Sequence, residues 1–147
     1  MWTAEIVLVC ALNMLGRSER SFPPIEFVRT APIEVSRGAE AYVRRDQNRI
    51  YLVTSSANFR RAQESMDRCG DVMAIRKVAS VLIHEEVHLK QGASEKSAYE
   101  AQLTTLTMLG AGPGTPPYQQ VRAALLQTMK QDRRKPAPTG LLASAVP

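Results

Sequence analysis

At 147 residues the chain is long enough for one domain that buries a real core, and an apolar share of 44% excludes a disordered body. The net charge of +5 concentrates in Lys130, Arg133, Arg134 and Lys135. Such a run reads as a solvated tail, and the lack of interleaved aromatics disfavours a nucleic-acid surface.

Residues 1–15 are apolar, but Glu5 is present and no basic residue precedes Arg17, unlike a signal peptide. The run at residues 6–12 is too short to span a bilayer. Ile6, Val9, Cys10 and Leu12 are spaced for a buried helix closing near Gly16. A cytoplasmic protein with no membrane segment is the expectation. Cys10 and Cys69 lie far apart and suggest neither a disulfide scaffold nor a cysteine metal site, so Cys10 reads as a small core residue.

Residues 17–24 form a loop stiffened by Pro23 and Pro24. Alternation in residues 25–30 predicts a strand. Residues 39–44 and 49–54 predict a hairpin around Asp46, Gln47 and Asn48. In the second arm, Ile50 and Leu52 alternate with Tyr51 and Val53, which suits a strand partly covered on both faces. Ser55 or Ser56 caps a helix through Arg68, with Phe59, Ala62 and Met66 on one face. Cys69 and Gly70 break it, and Asp71 caps the next helix, whose core stripe is Val72, Ile75, Ala79 and Leu82. Gly92 stops that helix and Ser94 starts another, which runs to about Leu109 and ends at residues 110–114. A last helix covers residues 117–130. From Gln131 onward Pro, Ala, Gly and Ser dominate. Residues 1–130 are therefore the expected domain, and residues 131–147 a disordered basic, Pro/Ala-rich tail.

The chemistry concentrates in His84-Glu85-Glu86-Val87-His88. The chain has only two histidines, and they fall four apart on a predicted helix, one above the other on a single face. Two imidazoles so placed can grip one metal ion. Glu85 lies on the flank of that face, within reach of a metal-activated water as general base. Glu86 points elsewhere and precedes Lys90 by four residues, an ion pair expected on a solvated face. A catalytic zinc needs a third protein ligand, with the fourth position left open. With no histidine left, the acids beyond Leu89 are Glu95, Glu100 and Asp132, and Asp132 lies in the basic tail. Glu95 and Glu100 are both retained as metal ligands. Antiparallel helices would place Glu100 beside the histidines, whereas a steep crossing would bring in Glu95.

These segments resemble the gluzincin class of zinc metallopeptidases, in which a following helix supplies a glutamate. In several such families Ala stands three residues after it, as Ala98 follows Glu95. The stretch from His84 through Gln102 also resembles small bacterial H-E-x-x-H proteins. The linker of six residues between His88 and Glu95 is shorter than the usual gluzincin spacing. The resemblance implies an α+β, minimal zincin-like domain with a small three-stranded sheet beside a metal-binding helix. It also implies a zinc-dependent metallohydrolase acting on peptides or proteins, with a sheet edge able to align an extended substrate.

Tyr51, Tyr99 and Tyr118 are candidates by type for stabilising the oxyanion. Two other readings remain: a zincin-like interaction module without catalysis, and a nucleic-acid-associated protein that uses the basic tail.

Overall fold

The structure is a computed structural model that describes residues 1–35 and 38–134. Thr3 accepts the amide of Ile6 and opens α1 (Ala4–Leu15), which ends at Gly16 as its residues predict. Three short strands follow: β1 (Ile25–Val28), β2 (Ala41–Arg44) and β3 (Arg49–Val53). The predicted hairpin is present, with β2 antiparallel to β3 through a turn that Asn48 closes in the left-handed region. β1 joins the other side of β3 in parallel, so the sheet order is β1-β3-β2. Ile50 and Leu52 face the main core with Ala41 and Val43. Tyr51 and Val53 face a smaller cluster with Val35, Ala39 and Tyr42. Both faces of β3 are covered, as its alternation anticipates.

Ser56 precedes α2 (Ala57–Glu64), which is four residues shorter than predicted. Ser65 turns extended, and its hydroxyl donates to the Asp67 carbonyl at 2.8 Å, with the Ala62 carbonyl also in reach at 3.2 Å, so a local side-chain bond replaces the next helical turn. Met66, assigned to the buried face, is exposed as a result. Asp71 accepts the amide of Ala74 and opens α3 (Val72–Gln91), a helix of 20 residues. It is about 30 Å long by helical rise. Ile75, Ala79 and Leu82 form its core stripe as expected, but Val72 lies in the first turn and is exposed. α4 (Glu95–Met108) and α5 (Pro116–Arg134) complete the α+β fold. α5 runs four residues past its predicted end, and the rest of the expected tail, residues 135–147, lies outside the described residues.

α3 is the spine. It packs against α1, α2, α4 and α5, and against β2 and β3. Its buried Lys77 pairs with the buried Glu40, just before β2, at 2.9 Å. The same ammonium donates to Gln120 Oε1 on α5 at 2.6 Å. A charge taken from water must be matched in this way, and here the match joins three elements.

Cys10 and Cys69 correct another expectation. They form a disulfide, with Cα atoms 5.7 Å apart. α1 packs against α3, so the turn just ahead of α3 comes to lie on the buried face of α1. Distance along the chain gives no hint of that neighbourhood. Among the described residues, no helix is long and apolar enough to cross a membrane.

The disulfide closes a loop over a separation of 59 residues. Replacing both cysteines by serine is expected to lower the unfolding free energy by about 2–4 kcal/mol, read as a lower denaturant midpoint. Unchanged midpoints would show that the bond adds no constraint to the unfolded chain.

Candidate metal centre

The turn between α3 and α4 assembles the site. Gly92 sits at φ 58°, a conformation strained for any residue with a side chain. A Cβ there would also come within 3.0 Å of the Arg45 guanidinium. Ser94 then accepts the amide of Ser97 and starts α4 at Glu95. Two rows of side chains meet across the helix pair: Ser80, His84 and His88 from α3, and Glu95, Tyr99 and Gln102 from α4. Each row has near-helical spacing and so shares one face.

The predicted His84 and His88 come together with Glu95. His84 Nε2 lies 3.1 Å from Glu95 Oε1, and His88 Nε2 makes a still shorter contact with the same oxygen. The three ligand atoms all lie within 4.8 Å of one another, a grouping that can hold a metal ion. Glu100 does not join it and is exposed. The reason is angular: at about 100° per residue, five residues carry Glu100 roughly 140° around α4 from Glu95. Gln102, seven residues on, returns to within about 20° of the Glu95 face.

Both imidazoles are anchored through their other nitrogen. His84 Nδ1 lies 3.0 Å from Gln102 Oε1, and His88 Nδ1 lies 2.9 Å from the carbonyl of Ala93. Each acceptor calls for a hydrogen on Nδ1, leaving Nε2 with its lone pair toward Glu95. Two such lone pairs and a carboxylate repel unless a cation lies among them. Two imidazole nitrogens and one carboxylate oxygen form a donor set that zinc takes with one position left open. The residues present therefore fit the metal that the motif implies.

Electrostatics agree with that fit. Burial pushes the His84 imidazole below its usual range against the pull of Glu95, which favours the neutral, ligating form. Burial opposes ionisation of Glu95 as well, yet hydrogen bonds and positive charge from His84 and His88, when their Nε2 atoms carry protons, draw its carboxyl down to about 2. The carboxylate thus stands ready for a cation in place of those protons. Glu95 keeps 31% of its side-chain surface exposed, whereas His84 and Glu85 are fully enclosed. Solvent thus meets the site on its Glu95 side.

Glu85 stands outside the ligand group, with Oε1 3.7 Å from His84 Nε2. That is close enough to share a water held beside the imidazole. Glu86 is not the solvated residue that its spacing to Lys90 suggests. It is buried, held by Arg17 at 3.0 and 2.6 Å and by Lys90 at 3.0 Å. Burial works against its charge, but those cations keep its carboxyl below the usual range.

Of the three tyrosines, only Tyr99 is near. It is buried edge-on against the His84 ring, with centroids 4.6 Å apart. Burial, and then the Glu95 and Glu85 carboxylates, raise its pKa, so the phenol keeps its proton. Tyr51 belongs to the sheet's second cluster, and Tyr118 packs half-buried from α5 against the main core.

The residues that sequence reasoning missed are Gln102, Ser80 and the Ala93 carbonyl. A signal for the first two existed: Ser80 lies one turn before His84, and Gln102 lies two turns after Glu95. The chain matches no protein-family model, no curated protein and no solved structure.

The geometry separates the two glutamates experimentally. Glu95→Gln is expected to lower zinc affinity by at least tenfold, and Glu100→Gln to leave it within twofold, by competition with a chromophoric chelator. Equal losses in both variants would remove Glu95 from the ligand set.

Proposed function

We propose that the chain is a zinc-dependent metallohydrolase, in the first instance a peptidase, with His84, His88 and Glu95 holding the metal. The observation that carries this reading is the convergence of those three donors beside an enclosed Glu85 that is not among them. A purely structural histidine pair has no need of that acid.

Zinc in this position supplies Lewis acidity, polarising a carbonyl and making water acidic near neutral pH. The chain's own groups do the rest. Nδ1 hydrogen bonds orient both imidazoles. The Glu85 carboxylate takes the proton from the attacking water and delivers it to the leaving amine nitrogen. Enclosure of Glu85 strengthens its charge interactions relative to water. Among the described residues β2 has a ladder partner on one side only, and the chain leaving it places Arg45 against Gly92. An extended peptide added to that edge would run toward the α3–α4 turn.

The complete burial of His84 and Glu85 favours a second reading. In it the same residues hold a metal as a brace between α3 and α4 and hydrolyse nothing. Glu85→Gln distinguishes the two. The variant should keep its zinc and lose about 10²–10⁴-fold in kcat/KM on an unstructured protein substrate. A wild-type chain that carries zinc without cleaving such substrates supports the brace, and equal rates in both proteins remove Glu85 from the mechanism.

The Cys10–Cys69 bond favours action in an oxidising compartment, where disulfides persist. It weighs against the cytoplasmic setting expected from residues 1–15. Alkylation of intact cells before lysis should leave both cysteines unlabelled. Full labelling would return the protein to a reducing compartment.

A further inference from the structure

We infer that Gln102, held in one orientation by Ser80, is the positioning residue that fixes His84 as a metal ligand. The inference concerns a residue outside the H-E-x-x-H pattern and outside the ligand set. Its metal-binding consequence rests on the proposed function, whereas its hydrogen-bond content does not.

The argument follows hydrogens along a buried relay. Ser80 is fully buried, and its hydroxyl donates to the Lys77 carbonyl at 2.7 Å. That single hydrogen is thereby committed, so toward Gln102 the Ser80 oxygen accepts. It does so from Gln102 Nε2 at 3.1 Å. A side-chain amide has its donor and its acceptor on opposite branches. With the NH₂ branch turned to Ser80, the carbonyl branch faces His84 Nδ1 at 3.0 Å. The acceptor demands a hydrogen on Nδ1, and Nε2 is left to bind the metal. Reversing the amide would leave a carbonyl against the committed Ser80 hydroxyl oxygen and would present NH₂ to Nδ1, driving the His84 hydrogen onto Nε2 and closing that nitrogen to a metal. The backbone carbonyl of Lys77, fixed inside α3, therefore determines which nitrogen of His84 meets the metal.

The choice of residue also has chemical content. Gln102 is fully buried and neutral. It orients the ring without placing a further negative charge beside a site that already contains Glu95 and Glu85. A hydrocarbon of similar shape would fill the same space and leave His84 free to carry its hydrogen on either nitrogen. Partners that orient ligating histidines typically contribute 10–100-fold to metal affinity.

The test uses the full chain and two readouts, zinc affinity by chelator competition and the His84 ring N–H signal by ¹H–¹⁵N NMR. In wild type a slowly exchanging Nδ1–H is expected with and without zinc. Gln102→Leu should lose that protection and weaken zinc binding by about 10–100-fold. Ser80→Ala, which touches neither His84 nor the metal, should weaken binding by a smaller factor. The double variant should bind no more weakly than Gln102→Leu alone, because both act through one relay. Gln102→Glu, which keeps an acceptor oxygen, should retain the Nδ1–H signal. Preserved protection and unchanged zinc affinity in Gln102→Leu would overturn the inference. So would a fully additive loss in the double variant. A wild-type chain with the protected Nδ1–H but no zinc affinity would overturn the metal reading and leave the relay standing.

Discussion

Two imidazole lone pairs and a carboxylate oxygen converge on one small volume between α3 and α4, and that convergence is tolerable only with positive charge inside it. A proton shared among the three groups provides some, and a divalent cation provides more. The first turn of α4 lends partial positive charge of its own, since unpaired backbone amides at a helix N-terminus favour an anion at Glu95. Glu95 is thus both a first-turn acid and a participant in the cluster. The α3–α4 contact couples to whatever cation is present, so occupancy of the site and docking of α4 stabilise each other.

α3 holds its orientation by more than apolar burial. Toward its N-terminal half, the buried Lys77 engages Glu40 and Gln120. At the level of the site, Glu86 engages Arg17 and Lys90. Rotating the helix about its axis would part the buried Lys77 from Glu40, at a cost of several kcal/mol, and would part Glu86 from Arg17, whereas the Glu86–Lys90 pair lies within α3 and would turn with it. An apolar stripe alone tolerates such slippage far better. The two ion-pair clusters therefore fix the direction in which Ser80, His84 and His88 point.

Local rules made much of this legible from the sequence. Asp71, Gly92 and Ser94 mark the ends of α3 and α4 by capping chemistry that operates within one helical turn, and each is found in that role. Spacing alone placed His84 and His88 on one face. What escaped depends on contacts distant along the chain. Glu86 looks solvated next to Lys90 because its stronger partner, Arg17, is 69 residues away. Cys10 looks like an unpaired core residue because nothing local brings Cys69 to it. The choice between Glu95 and Glu100 depended on how α4 is turned about its own axis. Antiparallel and steeply crossed helix pairs differ in the level of each residue along the helix and leave that rotation open. Five residues of helix rotation decide it.

Access follows from the same geometry. His84 and Glu85 are enclosed by the packing of α3 against its neighbours, and Glu95 provides the solvent-facing side. A substrate of the proposed hydrolase would then approach on the Glu95 side, over the α3–α4 turn. That turn is not a passive connection: the Ala93 carbonyl orients His88, and Arg45 from the sheet lies against Gly92. A side chain at Gly92 would push on the guanidinium and strain the backbone that presents Ala93 to His88. The shortness of the linker between His88 and Glu95 thus has a physical consequence. In the proposed hydrolase, the loop that would admit substrate is also the loop that orients His88 and brings Glu95 to the two histidines.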